Sequence, residues 1–209
     1  SDSTDRTSTC RTLNPKRGTA PDMRMSTRYA ALVTLLDRYD GVALGSTPIE
    51  AQRLMYFLQV LGEPLNLRYA KNLYGPYADN LRHVLDRVEG HFLTGYGDGT
   101  ARVLDADPIR VLPDAVDEAT GVLTGHPDTA ARVERVLELI DGFESMYSME
   151  LLATVHWVMT EDPAAADDWQ RTVSLVHEWT PRKRRTFTED HIRIAWSTLR
   201  ERLPIARQQ

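Results

Sequence analysis

The chain has 209 residues, a formal net charge of −5, 42% hydrophobic residues and one cysteine. That is enough apolar chain for one substantial core or two small ones, and no segment reaches the apolar length a bilayer span needs. With no apolar leader-like run near the start, and a lone Cys10 that has no intrachain partner, a cytoplasmic setting with no membrane contact is expected.

Residues 1–27 mix Ser, Thr, Asp, Arg, Gly and Pro with almost no large apolar side chains. Such a composition does not offset the entropy of ordering, so a disordered tail or linker is expected there, and one helical domain over residues 28–209. Residues 27–39 carry Leu32, Val33, Leu35, Leu36 and Tyr39 at helical spacing, with Gly41 placed to close the helix. Thr47-Pro48-Ile49-Glu50 then combines a capping Thr, a first-turn Pro and a Glu three residues after the cap. The helix it opens carries Leu54, Met55, Phe57, Leu58 and Leu61 and should stop near Gly62-Glu63-Pro64. Leu65, Leu67 and Tyr69 alternate as in a strand and are expected to pair with a later hairpin.

Gly75-Pro76 punctuates the backbone, and a helix is expected to start there, with Ala78, Leu81, Val84, Leu85 and Val88 on its apolar face and Gly90 as its end. Residues 92–96 and 101–104 flank a glycine-rich corner containing Asp98-Gly99, the signature of a tight hairpin turn. A proline-bounded connection over residues 106–113 leads to a helix over 113–123. His126-Pro127-Asp128 begins the next helix, whose stripe is Val133, Val136, Leu137 and Ile140, with Glu134, Glu138 and Asp141 on or near its polar side. After a loop at Gly142-Phe143-Glu144-Ser145, residues 149–159 are apolar nearly all round, as in a central buried helix. Asp162-Pro163 opens a helix expected over 163–179, and Thr188 caps a last helix with Phe187 stapled against Ile192. The sum is a mainly α fold: one helical domain of about seven helices with a small antiparallel β-hairpin or sheet.

Charge is unevenly spread. Residues 86–168 hold 18 Asp and Glu against 5 Lys and Arg, whereas residues 169–209 hold 4 against 9. A solvated acidic helix face and a negative surface that steers a basic partner both fit this pattern. The six histidines do not cluster, no His-Glu-x-x-His or paired-Cys motif occurs, and Gly95-x-Gly97-x-Gly99 lacks the lysine of a P-loop. His156 reads as a hydrogen-bonded core residue. No catalytic residue, metal site or cofactor is therefore expected, and the chain is read as not an enzyme.

Tyr74-Gly75-Pro76-Tyr77-Ala78-Asp79-Asn80-Leu81, with Glu89-Gly90-His91 and Gly95-Tyr96-Gly97-Asp98, resembles the C-terminal toxin-binding domain of DarG, the antitoxin of the DarT/DarG toxin–antitoxin system. The resemblance extends to Gln52-Arg53-Leu54-Met55-Tyr56-Phe57-Leu58-Gln59, Gly62-Glu63-Pro64-Leu65, Gly142-Phe143-Glu144 and the stretch from Met149 to Trp157, covering residues 30–203. It implies a domain that binds and neutralises a DarT-like toxin, which ADP-ribosylates single-stranded DNA. In that family, DNA ADP-ribosyl glycohydrolase activity belongs to a preceding macrodomain, expected to be absent from this chain. A groove that accepts single-stranded DNA is basic with places for bases to stack. Acids standing in for phosphates, namely Asp98, Glu134, Glu138, Asp141 and Glu144, and aromatics standing in for bases, namely Tyr96, Phe143 and Tyr147, are the expected toxin contacts. The alternative is a winged-helix-like nucleic-acid-binding regulator, with Arg182, Lys183, Arg184 and Arg185 clamping phosphates.

Overall fold

The computed structural model describes residues 23–43, 45–97 and 106–203. Nine α-helices occur among them: α1 (Thr27–Asp40), α2 (Pro48–Val60), α3 (Asp79–Val88), α4 (Pro113–Thr124), α5 (Pro127–Ile140), α6 (Met146–Glu161), α7 (Trp169–Trp179), α8 (Pro181–Thr186) and α9 (Glu189–Arg202). Four short strands accompany them, β1 (Tyr69–Asn72), β2 (Gly75–Ala78), β3 (Leu93–Thr94) and β4 (Arg110–Val111), in two antiparallel pairs. The fold is mainly α, as its periodicities require.

The centre is α6. Residues 149–156 of this helix are all buried, as are Val158 and Met159, and it packs against α2, α7, α9 and β2. A helix apolar on every side can satisfy itself only by being surrounded. On the other flank of α2, α1 lies against α4 and α5. Met25 is buried just ahead of α1, whose start is capped when the Ser26 hydroxyl accepts from the Tyr29 N–H.

Sequence caps appear where expected. The Glu50 carboxylate accepts from the Thr47 N–H at 2.9 Å, and the Tyr39 hydroxyl donates to it at 2.5 Å. Thr188 caps α9 while Phe187 and Ile192 are both fully buried. Two expectations change. Gly75-Pro76 does not begin a helix: Gly75, at φ 98°, opens β2, which pairs back on β1 through the Leu73-Tyr74 turn, and α3 starts at Asp79. The helix expected over 163–179 is broken, because Asp168 accepts from the N–H groups of Gln170 and Arg171 and caps α7 afresh after a 3₁₀ turn (Pro163–Asp167).

Two glutamines on α2 replace strand partners. Gln52 donates to the Ala78 carbonyl and accepts from the Ala78 N–H, both at 2.9 Å, and Gln59 does the same for Leu67 at 2.9 and 2.8 Å. Leu67 is thus tied to a helix, and the strand beginning at Tyr69 pairs with β2 rather than with the later hairpin. At that later corner β3 pairs with β4, drawing Arg110 and Val111 out of the stretch read as a connection. The pairing expected for residues 101–104, and the Asp98-Gly99 turn, lie outside the described residues. Gly95 is fixed by close approach: at φ 99°, a Cβ there would fall 2.3 Å from the Pro108 carbonyl oxygen.

His156 is held in the core, 2.6 Å from the Tyr56 hydroxyl through its Nδ1, and burial pushes its pKa down to about 4. Between that value and the ordinary 6.5 the unfolded chain binds the proton and the folded chain does not. Stability is therefore complete above pH 6.5 and falls as pH drops towards 4, by about 3 kcal/mol from this residue. Urea unfolding from pH 7 to 4 should show that slope, and His156→Gln should flatten it; an identical slope in both proteins would refute the assignment.

Candidate functional site

Helix α5 gathers three of the expected acids. Glu134, Glu138 and Asp141 follow one another at spacings of four and three, so they lie along one exposed stripe that ends where α5 ends. Arg38 of α1 bonds Glu134 at 2.8 Å, a half-exposed pair worth little energy that fixes the upper end of the stripe. At the lower end Arg202 of α9 donates to the carbonyl oxygens of Leu139 and Asp141, at 3.2 and 2.6 Å, closing the helix C-terminus and leaving the two carboxylates outside. Glu144 folds back to accept from the Gly142 N–H at 2.8 Å, holding the corner between α5 and α6.

The expected aromatics do not form an exposed platform. Phe143 and Tyr96 are 9% and 8% exposed, because each serves as core filler beneath its own turn. Tyr147 is half-buried: its hydroxyl donates to the Thr186 carbonyl oxygen at 3.1 Å and lies 2.8 Å from His191 Nδ1. Asp98 lies outside the described residues.

Beside this corner, a cleft of about 130 Å³ is lined by Glu50 and Arg53 of α2, Tyr74 of the β1–β2 turn, Tyr147 and Glu150 of α6, and Arg182 of α8. Its floor is a buried ionic knot. Glu150, 5% exposed, accepts from Arg182 at 2.7 and 3.1 Å and from Lys183 at 2.6 Å. Lys183 is wholly buried, with its ammonium also over the Trp179 and Phe187 rings at 5.2 and 5.3 Å. Arg53, 1% exposed, reaches the other way, donating to the carbonyl oxygens of Pro76 (2.9 Å) and Tyr74. Arg182 stacks on the Tyr74 ring at 4.8 Å. The Tyr74-Gly75-Pro76-Tyr77 motif is therefore a turn held from below by a buried arginine.

The electrostatics follow from that packing. Burial pushes Arg53 down to about 10, still protonated at neutral pH. Burial alone would raise the Glu150 carboxyl, but the bonds from Arg182 and Lys183 outweigh it and hold the group below its ordinary range. Burial lowers the Lys183 ammonium, against the pull of Glu150. The basic run is thus divided: Arg182 and Lys183 are spent on Glu150, and Arg184 and Arg185 face solvent. It lies in helix α8, which Thr180 caps by accepting from the Lys183 N–H. Sequence gave no sign of the Glu150 knot, because a glutamate inside an apolar helix carries no local signal of its partners 32 and 33 residues away.

Among the described residues no group of three or more His, Cys, Asp or Glu is placed to hold a metal ion, and no helix is long and apolar enough to cross a membrane.

No family model matches the chain. Curated relatives do. It is 38% identical over 179 residues to a protein of Thermus aquaticus named DNA ADP-ribosyl glycohydrolase, covering 86% of this chain and 48% of that protein. It is 36% identical over 181 residues to proteins of the same name from Mycobacterium bovis and Mycobacterium tuberculosis, covering 85% of this chain and 51% of theirs. The chain spans about half the length of the curated relatives it matches. The expectation that it is not an enzyme is overturned by these relatives, which match most of it and bear an enzyme's name.

Glu150 is expected to be the costliest single removal in the site. Glu150→Gln leaves the buried Arg53 and Lys183 and the half-buried Arg182 without their counter-charge and should cost about 3–5 kcal/mol in urea unfolding. Lys183→Met leaves Glu150 paired with Arg182 and fills similar volume, so it should cost less than about 2 kcal/mol. Equal losses in the two variants would contradict this assignment of the knot.

Proposed function

We propose, from the premise that this chain is DarG-related and shares most of its length with proteins named DNA ADP-ribosyl glycohydrolase, that it holds a DarT-like toxin and neutralises it by direct binding. The protein to which it belongs is proposed to carry the glycohydrolase activity as well, so that one protein blocks the modifying enzyme and reverses its product on DNA. The observation that carries the binding reading is the exposed acidic stripe Glu134, Glu138 and Asp141, continued around the corner by Glu144.

The physical case rests on charge. An enzyme that accepts single-stranded DNA tracks the strand's phosphates with a positive groove. A rigid helix that repeats a carboxylate about every turn, roughly 5.4 Å, offers such a groove a negative edge already ordered in place. Its conformational entropy is settled before binding, which favours it over a flexible strand. With Phe143 and Tyr96 inside the core, the proposed mimicry is of the phosphate backbone, and the two rings support the corner from beneath. Tyr147 sits where the stripe meets the cleft beside Tyr74 and Arg182, and is the proposed aromatic contact at that end.

Reversing charge on Glu138 and Asp141 tests this reading. Glu138→Lys/Asp141→Lys should slow association with a DarT-like toxin at least about tenfold at low salt, and the residual rate should depend less on salt than the wild-type rate. Melting temperature reports that the variant is folded. An unchanged association rate in the folded variant would remove the acidic stripe from the interface.

A further inference from the structure

A second groove, of about 200 Å³, lies between the first turn of α1 and one face of α3 and carries the opposite charge. Arg28 and Tyr29 of α1 form one side; Asn80, His83, Val84 and Arg87 of α3 form the other. The α3 residues are three or four apart, which aligns them on a single face with His83 and Arg87 one turn apart. Arg28, His83 and Arg87 are all exposed, and among the described residues none of them has an acidic partner. Arg82, by contrast, sits off this face and pairs with Asp79 at 3.5 Å. Asp86 is also exposed on α3, to the side of the stripe.

The groove is built rather than incidental. Asn80 accepts from the Arg68 N–H at 3.0 Å and donates to the Asn66 carbonyl oxygen at 2.9 Å, fixing α3 against the loop that precedes β1. Tyr29 is set by its contact with the buried Phe92, ring centroids 6.0 Å apart, and the Arg28 guanidinium lies 6.0 Å from the centroid of the Tyr29 ring. Three donors that carry or can take positive charge therefore converge beside one aromatic and one aliphatic wall. In a chain whose net charge is −5, a cationic groove with no acidic partner among the described residues is the feature that asks for an anion.

We infer that this groove binds a nucleotide, its phosphate held by Arg28 and Arg87 with His83 as a further donor, and its base lying against Tyr29 and Val84. Paired guanidinium groups suit phosphate oxygens through charge-assisted hydrogen bonds, and a ring beside them suits a stacked base better than a bare inorganic ion. A strand of DNA and a free mononucleotide share this chemistry. The assignment shares no residue with the acidic stripe and is independent of toxin binding.

The test is fluorescence anisotropy of a labelled oligothymidylate with the whole chain at low salt, with unlabelled dTMP as competitor. Arg28→Gln/Arg87→Gln should weaken binding at least about tenfold and flatten the dependence of log affinity on log salt by about 1, whereas Arg82→Gln on the same helix should leave both unchanged. Displacement by dTMP identifies a mononucleotide site and failure of dTMP to displace identifies a strand site; either result sustains the inference. Wild-type protein that fails to bind the oligothymidylate, or a folded double variant that binds as well as wild type, overturns it. Should the double variant lose its fold, amide shifts of the wild-type chain titrated with oligothymidylate decide: movement centred on Arg28, His83 and Arg87 supports the groove, and movement confined elsewhere refutes it.

Discussion

Glu150 is the constraint on which this fold turns. It projects from the most buried helix of the molecule into a space that also holds Lys183, Arg182 and, just beyond, Arg53. Three cations around one carboxylate make an arrangement that none of them could occupy alone, since an unpaired buried charge costs several kcal/mol. Because the four residues come from α2, α6 and α8, and Arg53 also secures the carbonyls of the Tyr74 turn, one ionic knot sets how three helices and a hairpin meet.

That knot divides the charge of the chain between inside and outside. In the C-terminal part, which carries the basic excess, Arg182 and Lys183 are used up by Glu150, and Arg202 is directed at the carbonyl end of α5. The acids of α5 and of the corner after it have fewer calls on them. Glu134 takes one half-exposed arginine, and Glu138 and Asp141 keep their carboxylates in solvent. The acidic bias seen in the sequence thus becomes a surface property, with Arg38, Arg132 and Arg202 already engaged and the exposed Arg135 of α5 offsetting one of its acids. This is the physical basis for proposing a basic cleft as the partner surface, and it needs no exposed aromatic platform.

Local signals survived well. The Thr47 and Thr188 caps, the Phe187 staple, the all-round apolarity of α6 and the face of α3 were each legible because they depend on residues within one or two turns. Non-local ones were not. Nothing near Gln52 or Gln59 indicates that an amide will stand in for a strand partner, and nothing near Gly75-Pro76 separates a strand start from a helix start without knowing that Arg53 waits beneath the turn. At the candidate site, the stripe of Glu134, Glu138 and Asp141 follows from helical spacing, whereas the burial of Phe143 and Tyr96 depends on packing against distant elements. Missing catalytic motifs do not make the chain a non-enzyme, since it matches about half the length of proteins named for an activity.

The most direct measurement is competition for a DarT-like toxin between the Arg28→Gln/Arg87→Gln form of this chain, whose own proposed nucleotide groove is disabled, and a labelled single-stranded oligonucleotide. Proposed occupation of the DNA groove predicts that each displaces the other, with the apparent affinity for the oligonucleotide falling in proportion to the concentration of the chain. A stable ternary complex, with oligonucleotide affinity unchanged at saturating chain, would contradict it.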